Sequence, residues 1–436
     1  MIYYSTRDKE RLHPYSLKEA AFMGLAPDGG LFVPERIPAA DMAVVESKAA
    51  ESYAEMACCL AGLFFGDDVP EADLRRMVFN AYNFDCPLVE VGEGKFTLEL
   101  FHGPTFAFKD FGARFMGGML GLLNQSAEDL VVLTATSGDT GSAVAAGFYN
   151  VPGIKVVVLY PNGKVSDLQE SQMTTLGGNI RPVRVNGNFD DCQALVKQVF
   201  NDAAFRSRVN VTSANSINIL RWIPQSFYYF YGWCQWKKAT GAELPTIVVP
   251  SGNYGNITAG MLAHAMGLPV KGFVAGSNAN DVVPEYLKSG VYSPRESVRT
   301  IANAMDVGAP SNFERMMYLY GEDFGRLTSE LVGFSNTDAE IRAGIKEMYE
   351  KFGYVSDPHS AVGYNASKFY GIDGFWLSTA HHAKFREVIA DTLGREFPIP
   401  EGLKVAMRKE KHFHPMDVSV AALEEYIEEC VVRVSI

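Results

Sequence analysis

The sequence has few cysteines, no excess of basic residues and no long apolar run. Its six cysteines form no CxxC pair, and the adjacent Cys58 and Cys59 are too close in the chain to bridge each other comfortably. We interpret all six as reduced thiols of a cytoplasmic protein. No segment approaches the roughly 20 consecutive apolar residues of a membrane helix. The opening MIYYSTRDKERLHP carries charges where a secretory signal would be apolar, so we expect neither a membrane span nor secretion.

The charge balance is acidic. Lysine and arginine number 39 against 51 aspartates and glutamates, which gives a formal net charge of −12. Nucleic acids and anionic membranes require a basic surface, so both are disfavoured as partners. A small anionic ligand is still compatible with this charge if basic side chains are concentrated at one place. The length of 436 residues, 47% of them hydrophobic, favours two or three globular domains, and nothing in the sequence indicates the oligomeric state.

The first 95 residues are predicted to form a mostly helical domain. Ser16 and Glu19 make a capping box at the start of SLKEAAFMG. Longer helical stretches follow around 40–64 and 70–82. This region contains no convincing constellation of catalytic residue types.

From residue 96 onward, short β-forming runs alternate with helical segments. The predicted strands are FTLELF, VVLTAT, KVVVLYP, IRPVRV, TIVVP, VKGFVAG and FWLSTA. This alternation predicts layered α/β domains with parallel sheets, which bind ligands at the carboxyl ends of their strands. We expect a large α/β domain from 96–125 and 210–436, with a helical insertion near 283–370, and a small α/β domain from 126–209. LEEYIEECVVRVSI predicts a helix followed by a short strand.

Lys109 is the leading catalytic candidate. Gly103 and Pro104 break the strand FTLELF, and apolar residues then recur at helical spacing, which places Lys109 in the first turn of a helix. The positive end of the helix dipole favours a neutral amine, as a nucleophilic or Schiff-base lysine requires. Small residues on the same helix face, including Gly112 and Gly117, would leave room for a flat group beside the amine. The alternative is a surface lysine that starts an amphipathic helix.

Two glycine-rich turns follow predicted strands. TIVVP runs into SGNYGN, where Gly252 and Gly255 let backbone amides converge on an anion such as phosphate. This turn lacks the GK[ST] of an ATP-binding loop and the GxGxxG of a dinucleotide site. VVLTAT runs into SGDTGS, whose amides and hydroxyls suit a carboxylate. Each turn also has a simpler interpretation: ordinary turn chemistry for the first, and helix capping by Asp139 and Thr140 for the second.

A Schiff-base lysine and a phosphate-binding turn without a nucleotide motif together indicate pyridoxal phosphate. The motifs HGPTFAFKDFG, TATSGDTGS, SANSIN, VPSGNYGN, NAMDVGAPSN, DPHSAVGY and STAHHAKF occur in this order along the chain. In residues and in order they closely resemble threonine synthases of the bacterial and fungal type. The resemblance begins with YSTRD and APDGGLFVP and covers nearly the whole chain.

This resemblance implies the tryptophan-synthase-β-like (fold type II) α/β architecture of pyridoxal phosphate enzymes. It implies conversion of O-phospho-L-homoserine and water to threonine and phosphate. Lys109 would bind the cofactor covalently, and Thr379 would hydrogen-bond its pyridine nitrogen. The residues implied to hold the cofactor phosphate are Gly252, Asn253, Tyr254, Gly255 and Asn256. Those implied to bind the substrate are Ser137, Gly138 and Thr140 at its carboxylate and Asn215, Ser216, Asn218 and Arg221 near its phosphate.

Asp139 is implied to lie beside the phenolic oxygen of the cofactor, where related enzymes often carry asparagine. An ionised carboxylate only accepts hydrogen bonds. Either one of the two oxygens is therefore protonated, or the Asp139 side chain turns away.

Other polar residues give weaker predictions. Lys164, Arg114 and Lys384 are further candidates for contacts to the substrate phosphate. The histidine pairs at 381–382 and 412–414 lack a carboxylate or cysteine that would complete a ligand set. We therefore predict no metal site.

Two other functions compete with this interpretation. One is a serine or threonine dehydratase that shares the cofactor, the lysine and the phosphate-binding turn. The other is a catalytically silent homologue that binds the cofactor or a phosphorylated metabolite as a sensor. Retention of Lys109, SGNYGN and Thr379 argues against the silent homologue. The segments around Asn215 and Asn303 argue against the dehydratase through resemblance alone.

Overall fold

The N-terminal part of the chain is mostly helical. The computed structural model describes residues 1–125 and 128–432. The capping box forms, with Ser16 and Glu19 each accepting the backbone N–H of the other. The stretch 40–64 is two helices, because Ser52 has extended backbone angles and caps the second one. The elements are strands β1 Tyr3–Ser5 and β2 Phe32–Pro34 and helices α1 Leu17–Met23, α2 Met42–Glu51, α3 Tyr53–Phe65 and α4 Glu71–Ala81.

From residue 88, strands alternate with helices because short runs of β-forming residues are separated by segments with helical periodicity. The first part contains β3 Leu88–Gly92, β4 Lys95–Glu99, α5 Lys109–Leu123, β5 Leu130–Ala135, α6 Asp139–Gly147, β6 Ile154–Pro161, α7 Asp167–Thr174, β7 Ile180–Val185, α8 Phe189–Asn201, α9 Ala203–Arg206 and β8 Val211–Ser213. The second part contains α10 Ile219–Trp222, α11 Phe227–Thr240, β9 Thr246–Pro250, α12 Gly255–Ala265, β10 Gly272–Ser277, α13 Val282–Ser289, α14 Phe313–Leu319, α15 Phe324–Glu330, β11 Leu331–Ser335, α16 Asp338–Phe352, α17 Pro358–Tyr370, β12 Gly374–Ser378, α18 Arg386–Leu393, α19 Glu401–Met407, β13 His414–Met416 and α20 Val420–Val432.

The strands form two large sheets, which confirms the predicted parallel α/β architecture. The larger sheet has the order β11-β10-β9-β12-β4-β3 and is parallel except for the β3–β4 pair. The smaller sheet has the order β13-β7-β6-β5-β8 and is parallel throughout. Its central strands β5 and β6, and β9 and β10 of the larger sheet, are almost entirely buried, as strands covered by helices on both faces are. Among the described residues, no helix is long and apolar enough to span a membrane.

Three strands after residue 95 lie where the sequence did not predict them, and β3, at an edge of the larger sheet, falls within the predicted mostly helical region 1–95. β11 falls inside the region 283–370, which we predicted to be a helical insertion, yet it forms an edge of the larger sheet. β8 and β13 lie beyond residues 126–209, the predicted small domain, yet they extend the smaller sheet. All three strands have five residues or fewer, too few for a clear apolar alternation. The short strand predicted after α20 falls on residues 433–436, outside the described part of the chain.

Helix packing explains the small residues on the lysine face of α5. A Cβ on Gly117 would lie 2.4 Å from the carbonyl oxygen of Gly147, and one on Gly147 would lie 2.8 Å from the carbonyl carbon of Ala113. A Cβ on Gly112 would lie 2.8 Å from the carbonyl oxygen of Arg221. The prediction that these residues leave room for a flat group is therefore wrong. They instead let α6 and α10 pack closely against α5.

Gly147→Ala should destabilise the protein by about 1–3 kcal/mol, because the new methyl group has no space between α5 and α6. Gly62→Ala is the matched control, since a Cβ there meets no atom of the described residues within 4 Å and the position is exposed on α3. It should be neutral or stabilising by up to about 1 kcal/mol. Urea unfolding of both variants measures the difference. Equal effects of the two substitutions would contradict the close approach of the helices.

Candidate active site

The predicted site residues lie just beyond the carboxyl ends of strands in both sheets. Residues 137–140 follow β5, residues 214–221 follow β8, residues 251–256 follow β9, Thr379 follows β12, and Lys109 begins α5 after the loop that leaves β4. These are the strand ends at which parallel α/β sheets bind ligands. The fold therefore gathers segments that are far apart in the sequence.

Backbone hydrogen bonds tie the Lys109 loop to the Thr379 segment. The N–H of Phe108 donates to the carbonyl of Thr379 at 2.8 Å, and the N–H of His381 donates to the carbonyl of Phe106 at 3.0 Å. Phe106 has a φ of 59°, a left-handed conformation that is uncommon for a phenylalanine. Such strained backbone clusters at functional sites. Lys109 and Thr379 are thus held as neighbours.

The Lys109 amine has the properties of a reactive lysine. Burial lowers its pKa to about 8, opposed by the negative charge of Asp139 and assisted by the positive charges of Arg221 and Lys384. The sequence predicted the direction of this shift from the helix dipole. Burial is the larger cause, and it could not be deduced from position in the helix alone. A neutral amine is accordingly accessible near physiological pH.

The turn 251–256 is built with help from two distant segments. Asn253 donates through Nδ2 to Ser216 Oγ at 2.7 Å and accepts from the N–H of Ser311 at 2.6 Å. Asn312 donates through Nδ2 to the carbonyl of Asn253 at 3.1 Å. Tyr254 has a φ of 60° immediately before α12 begins, which turns the chain into the helix. The motifs SGNYGN, SANSIN and APSN therefore form one structure.

Asn256 gives this turn an unpaired donor. Its Oδ1 accepts from the hydroxyls of Tyr228 and Tyr229, at 2.5 and 2.8 Å, which fixes the orientation of the amide. Its Nδ2 is buried and has no hydrogen-bond partner within residues 1–125 and 128–432. A buried donor without a partner is costly unless a ligand satisfies it. A donor of this kind at the start of a helix suits a phosphate group, so the turn fits the phosphate of pyridoxal phosphate.

The turn after β5 is organised by Thr136. Its Oγ1 accepts from the N–H groups of Gly138 and Gly141, at 2.9 and 2.8 Å. Gly138 has a φ of 145°, and a Cβ there would lie 2.5 Å from the Gln169 side chain, so the position requires glycine. Thr136 therefore satisfies an amide in the first turn of α6, and neither Asp139 nor Thr140 is seen to do so in the described part of the chain, which contradicts the simpler interpretation of these two as capping residues.

Asp139 turns toward the larger sheet. Its Oδ1 accepts from Lys384 Nζ at 2.8 Å and from Gln169 Nε2 at 2.7 Å. Burial acts to raise the pKa of Asp139, but the positive charges of Lys384 and Lys109 outweigh it and hold the pKa below its usual range. The side chain is therefore ionised and directed at two donors. This pairing disfavours a proton on the Asp139 carboxylate itself.

The segment after β8 contributes a buried cation. Arg221 is 3% exposed and donates through Nη1 to the carbonyl of Ala214 at 2.7 Å. Its Nε has no hydrogen-bond partner among the described residues. Burial lowers the pKa of Arg221 to about 10, which still leaves the guanidinium charged at neutral pH. Arg221 is also one of the charges that act on Lys109.

Two of the sequence candidates are used elsewhere in the structure. Asn218 is fully buried, and its amide donates to the carbonyls of Ala21 and Ser213 and accepts from the N–H of Leu220. It joins α10 to α1, so its implied contact with substrate is withdrawn. Arg114 donates to the carbonyl of Ala81 at 2.7 Å, at the end of α4, which removes it as a candidate for the substrate phosphate.

Sequence reasoning missed several residues of the site. The hydroxyls of Tyr228 and Tyr229 orient Asn256, but in the sequence they belong to an aromatic run that predicts only a hydrophobic core. The Gln169 side chain orients Asp139, but a glutamine in a helix predicts only an exposed polar residue. Asn312 lies in the APSN motif, which could have indicated a role. Lys164 is exposed on the loop after β6, so we withdraw it as a candidate for the substrate phosphate. His381, by contrast, is partly buried, and burial lowers its pKa to about 3.

Models of known protein families match three segments of the chain. A family model described as pyridoxal-phosphate dependent enzyme matches residues 92–370. Models for the threonine synthase N terminus and the threonine synthase C-terminal region match residues 2–82 and 360–427. The chain is 43% identical over 430 residues to the threonine synthase of Haemophilus influenzae, covering 98% of this chain and 99% of that one.

Two solved structures have the same fold as this chain over nearly its whole length. The pyridoxal-phosphate-bound threonine synthase of Brucella melitensis superimposes with a TM-score of 0.93 at 34% identity, covering 99% of this chain and all of that chain. The threonine synthase of Escherichia coli gives a TM-score of 0.89 at 39% identity, with 98% of this chain covered and all of that chain. Both similarities extend over both sheets and the N-terminal helices.

Proposed function

The chain belongs to the threonine synthase family, and on that premise we propose how its own residues perform the reaction. The protein is a pyridoxal-phosphate-dependent lyase that converts O-phospho-L-homoserine and water to L-threonine and phosphate. The observation that carries the residue assignments is the half-buried Lys109 with its lowered amine pKa, which directly follows Phe108, the residue whose N–H donates to the carbonyl of Thr379.

Three groups of residues would hold the cofactor. Lys109 would bind it covalently, residues 252–256 would hold its phosphate, and the Thr379 hydroxyl would contact its ring nitrogen. The unpaired Nδ2 of Asn256 supports the phosphate assignment. A hydroxyl, unlike a carboxylate, does not hold the ring nitrogen protonated. When bound, pyridoxal phosphate supplies the electron withdrawal that acidifies the hydrogens on the substrate Cα and Cβ.

Lys109 would then move protons at the substrate carbons. Its neutral amine takes the proton from Cα and passes it to water, and the neutral amine then takes a proton from Cβ, which permits phosphate to leave from Cγ and to pick up the released proton. The charged amine gives the Cβ proton to Cγ, takes a proton from the water that adds at Cβ, and returns this proton to Cα. A pKa of about 8 suits a group that must both accept and donate protons near neutral pH.

The two anionic groups of the substrate, its carboxylate and its phosphate, would be bound by different sets of residues at opposite ends of the substrate. Ser137, Gly138 and Thr140 would bind the carboxylate at the start of α6, where the helix dipole favours an anion. Arg221 would bind the phosphate with Asn215 and Ser216. The charged, incompletely paired guanidinium supports this assignment, because the protein as a whole is acidic and must concentrate positive charge locally.

The dehydratase and the silent homologue are tested by substrate choice. Incubation of the purified holoenzyme with phosphohomoserine should release phosphate and threonine in equal amounts. Homoserine lacks the phosphate that anchors and leaves, so it should not turn over, and serine should release little ammonia. Efficient ammonia release from serine with no phosphate from phosphohomoserine would favour the dehydratase. Binding of phosphohomoserine without any product would favour the silent homologue.

The cellular setting is also a proposal. We place the protein in the cytoplasm, acting on a small-molecule substrate without a nucleic-acid partner. Six free thiols and the net charge of −12 support this setting. We also propose that the two sheets belong to separate domains between which the substrate binds.

A further inference from the structure

A buried ion pair connects the two sheets beside Lys109. Asp139 begins α6 after β5 of the smaller sheet, and Lys384 lies in the short 3₁₀ turn His382–Phe385 after β12 of the larger sheet. Lys384 Nζ and Asp139 Oδ1 are 2.8 Å apart, and their side chains are 0% and 6% exposed. The pair is thus shielded from solvent and spans the gap between the sheets.

Each member of the pair has a second partner. Lys384 Nζ also donates to the carbonyl of Thr105 at 2.8 Å, in the loop that leads to Lys109. Thr105 is fixed in turn, because its N–H and hydroxyl donate to Asp110 at 2.8 and 2.7 Å. Asp139 is held from the other side by Gln169. Lys384 therefore links the substrate turn to the loop of the reactive lysine.

A buried ion pair is weak grounds for stability, because desolvation offsets much of the attraction. Its local electrostatic effect is larger. The Asp139 carboxylate favours a protonated Lys109 amine, whereas the Lys384 ammonium and the Arg221 guanidinium oppose protonation. The other ionisable groups that Lys384 influences are Asp110, whose pKa burial raises to about 6, and His381. Removal of Lys384 would take away one of the two positive charges that oppose the effect of Asp139 on the pKa of the Lys109 amine.

We propose that Lys384 is a positioning residue, which pairs with Asp139 to balance charge at the Lys109 nitrogen and to fix the substrate turn against the lysine loop. This inference rests on the proposed role of Lys109. It assigns the pair no contact with the reacting atoms. The two members act in opposite directions on the same nitrogen, so their removal has opposite consequences.

The test compares the holoenzymes of wild type, Lys384→Met, Asp139→Asn and the double variant. The pH titration of the cofactor absorbance reports protonation at the Lys109 nitrogen. Lys384→Met should move the midpoint to higher pH, because the carboxylate is left uncompensated, and Asp139→Asn should move it to lower pH. The double variant should return toward wild type. Each single variant should lose about tenfold or more in kcat, and Lys384→Arg should restore most of it.

Lys155→Met is the matched control. It removes the partly buried pair between Lys155 Nζ and Asp129 Oδ2, 3.4 Å apart at the amino ends of β5 and β6, away from the site. It should shift neither the titration nor kcat. Single variants that shift the midpoint in the same direction, or not at all, would overturn the proposal, and Asp139→Asn decides this even if Lys384→Met does not fold. Failure of the wild type to form threonine would instead overturn the proposed function.

Discussion

Lys109→Ala should abolish threonine formation and remove the covalent link to the cofactor. A positioned general base alone contributes roughly 10²–10⁴-fold to rate, and Lys109 is proposed to move every proton of the reaction, so the loss should be at least that large. The half-buried amine with its lowered pKa is the physical reason for this assignment. Measurement of threonine formation, together with the absorbance of bound cofactor, checks both parts of the prediction.

Lys164→Ala serves as the control for Lys109→Ala. Lys164 is exposed on a loop, so its removal should change neither turnover nor absorbance. Borohydride reduction of wild-type holoenzyme, followed by peptide mapping, should place the pyridoxyl group on Lys109. A pyridoxyl group on Lys164 or Lys384 would contradict the assignment.

Arg221→Ala should raise the KM for phosphohomoserine by about ten- to a hundredfold, with a smaller effect on kcat. A charge-assisted hydrogen bond in a desolvated site contributes about 1.5–3 kcal/mol, which corresponds to that range. The buried guanidinium with an unpaired Nε is the structural reason for this choice. Steady-state kinetics with phosphohomoserine as the varied substrate measures the effect.

Arg114→Ala is the matched control for Arg221→Ala. Arg114 lies on α5 and is partly buried, but its guanidinium donates to the carbonyl of Ala81 at the end of α4. Its removal should lower stability while leaving the KM for phosphohomoserine unchanged. If a folded Arg221→Ala protein keeps the wild-type KM, another residue anchors the substrate phosphate.

The sequence predicted the alternation of strands and helices, the position of Lys109 at a helix start and the glycine turn at 252–256. These features depend on local periodicity and turn chemistry, which are visible in short stretches of sequence. The edge strands β3, β8, β11 and β13 were missed because very short strands carry little periodicity.

Features that depend on packing between distant segments could not be read from the sequence. The small residues Gly112 and Gly117 predicted space for a ligand beside Lys109, but α10 and α6 occupy that space. The motif that contains Asn218 implies a contact with substrate. In the structure, however, the buried amide of Asn218 forms its hydrogen bonds with the backbone of Ala21 and Leu220. The contact of Asp139 with Lys384 joins residues on different sheets, so only the fold reveals that the carboxylate has a cation to pair with.

The central claim is that phosphate leaves by cleavage of a carbon–oxygen bond and that water then adds to carbon. Turnover of phosphohomoserine in ¹⁸O-labelled water tests this directly, with mass spectrometry of both products. The account predicts one labelled oxygen in the β-hydroxyl of threonine and unlabelled phosphate, in equal amounts. Labelled phosphate with homoserine as the other product would mean hydrolysis at phosphorus and would contradict the account.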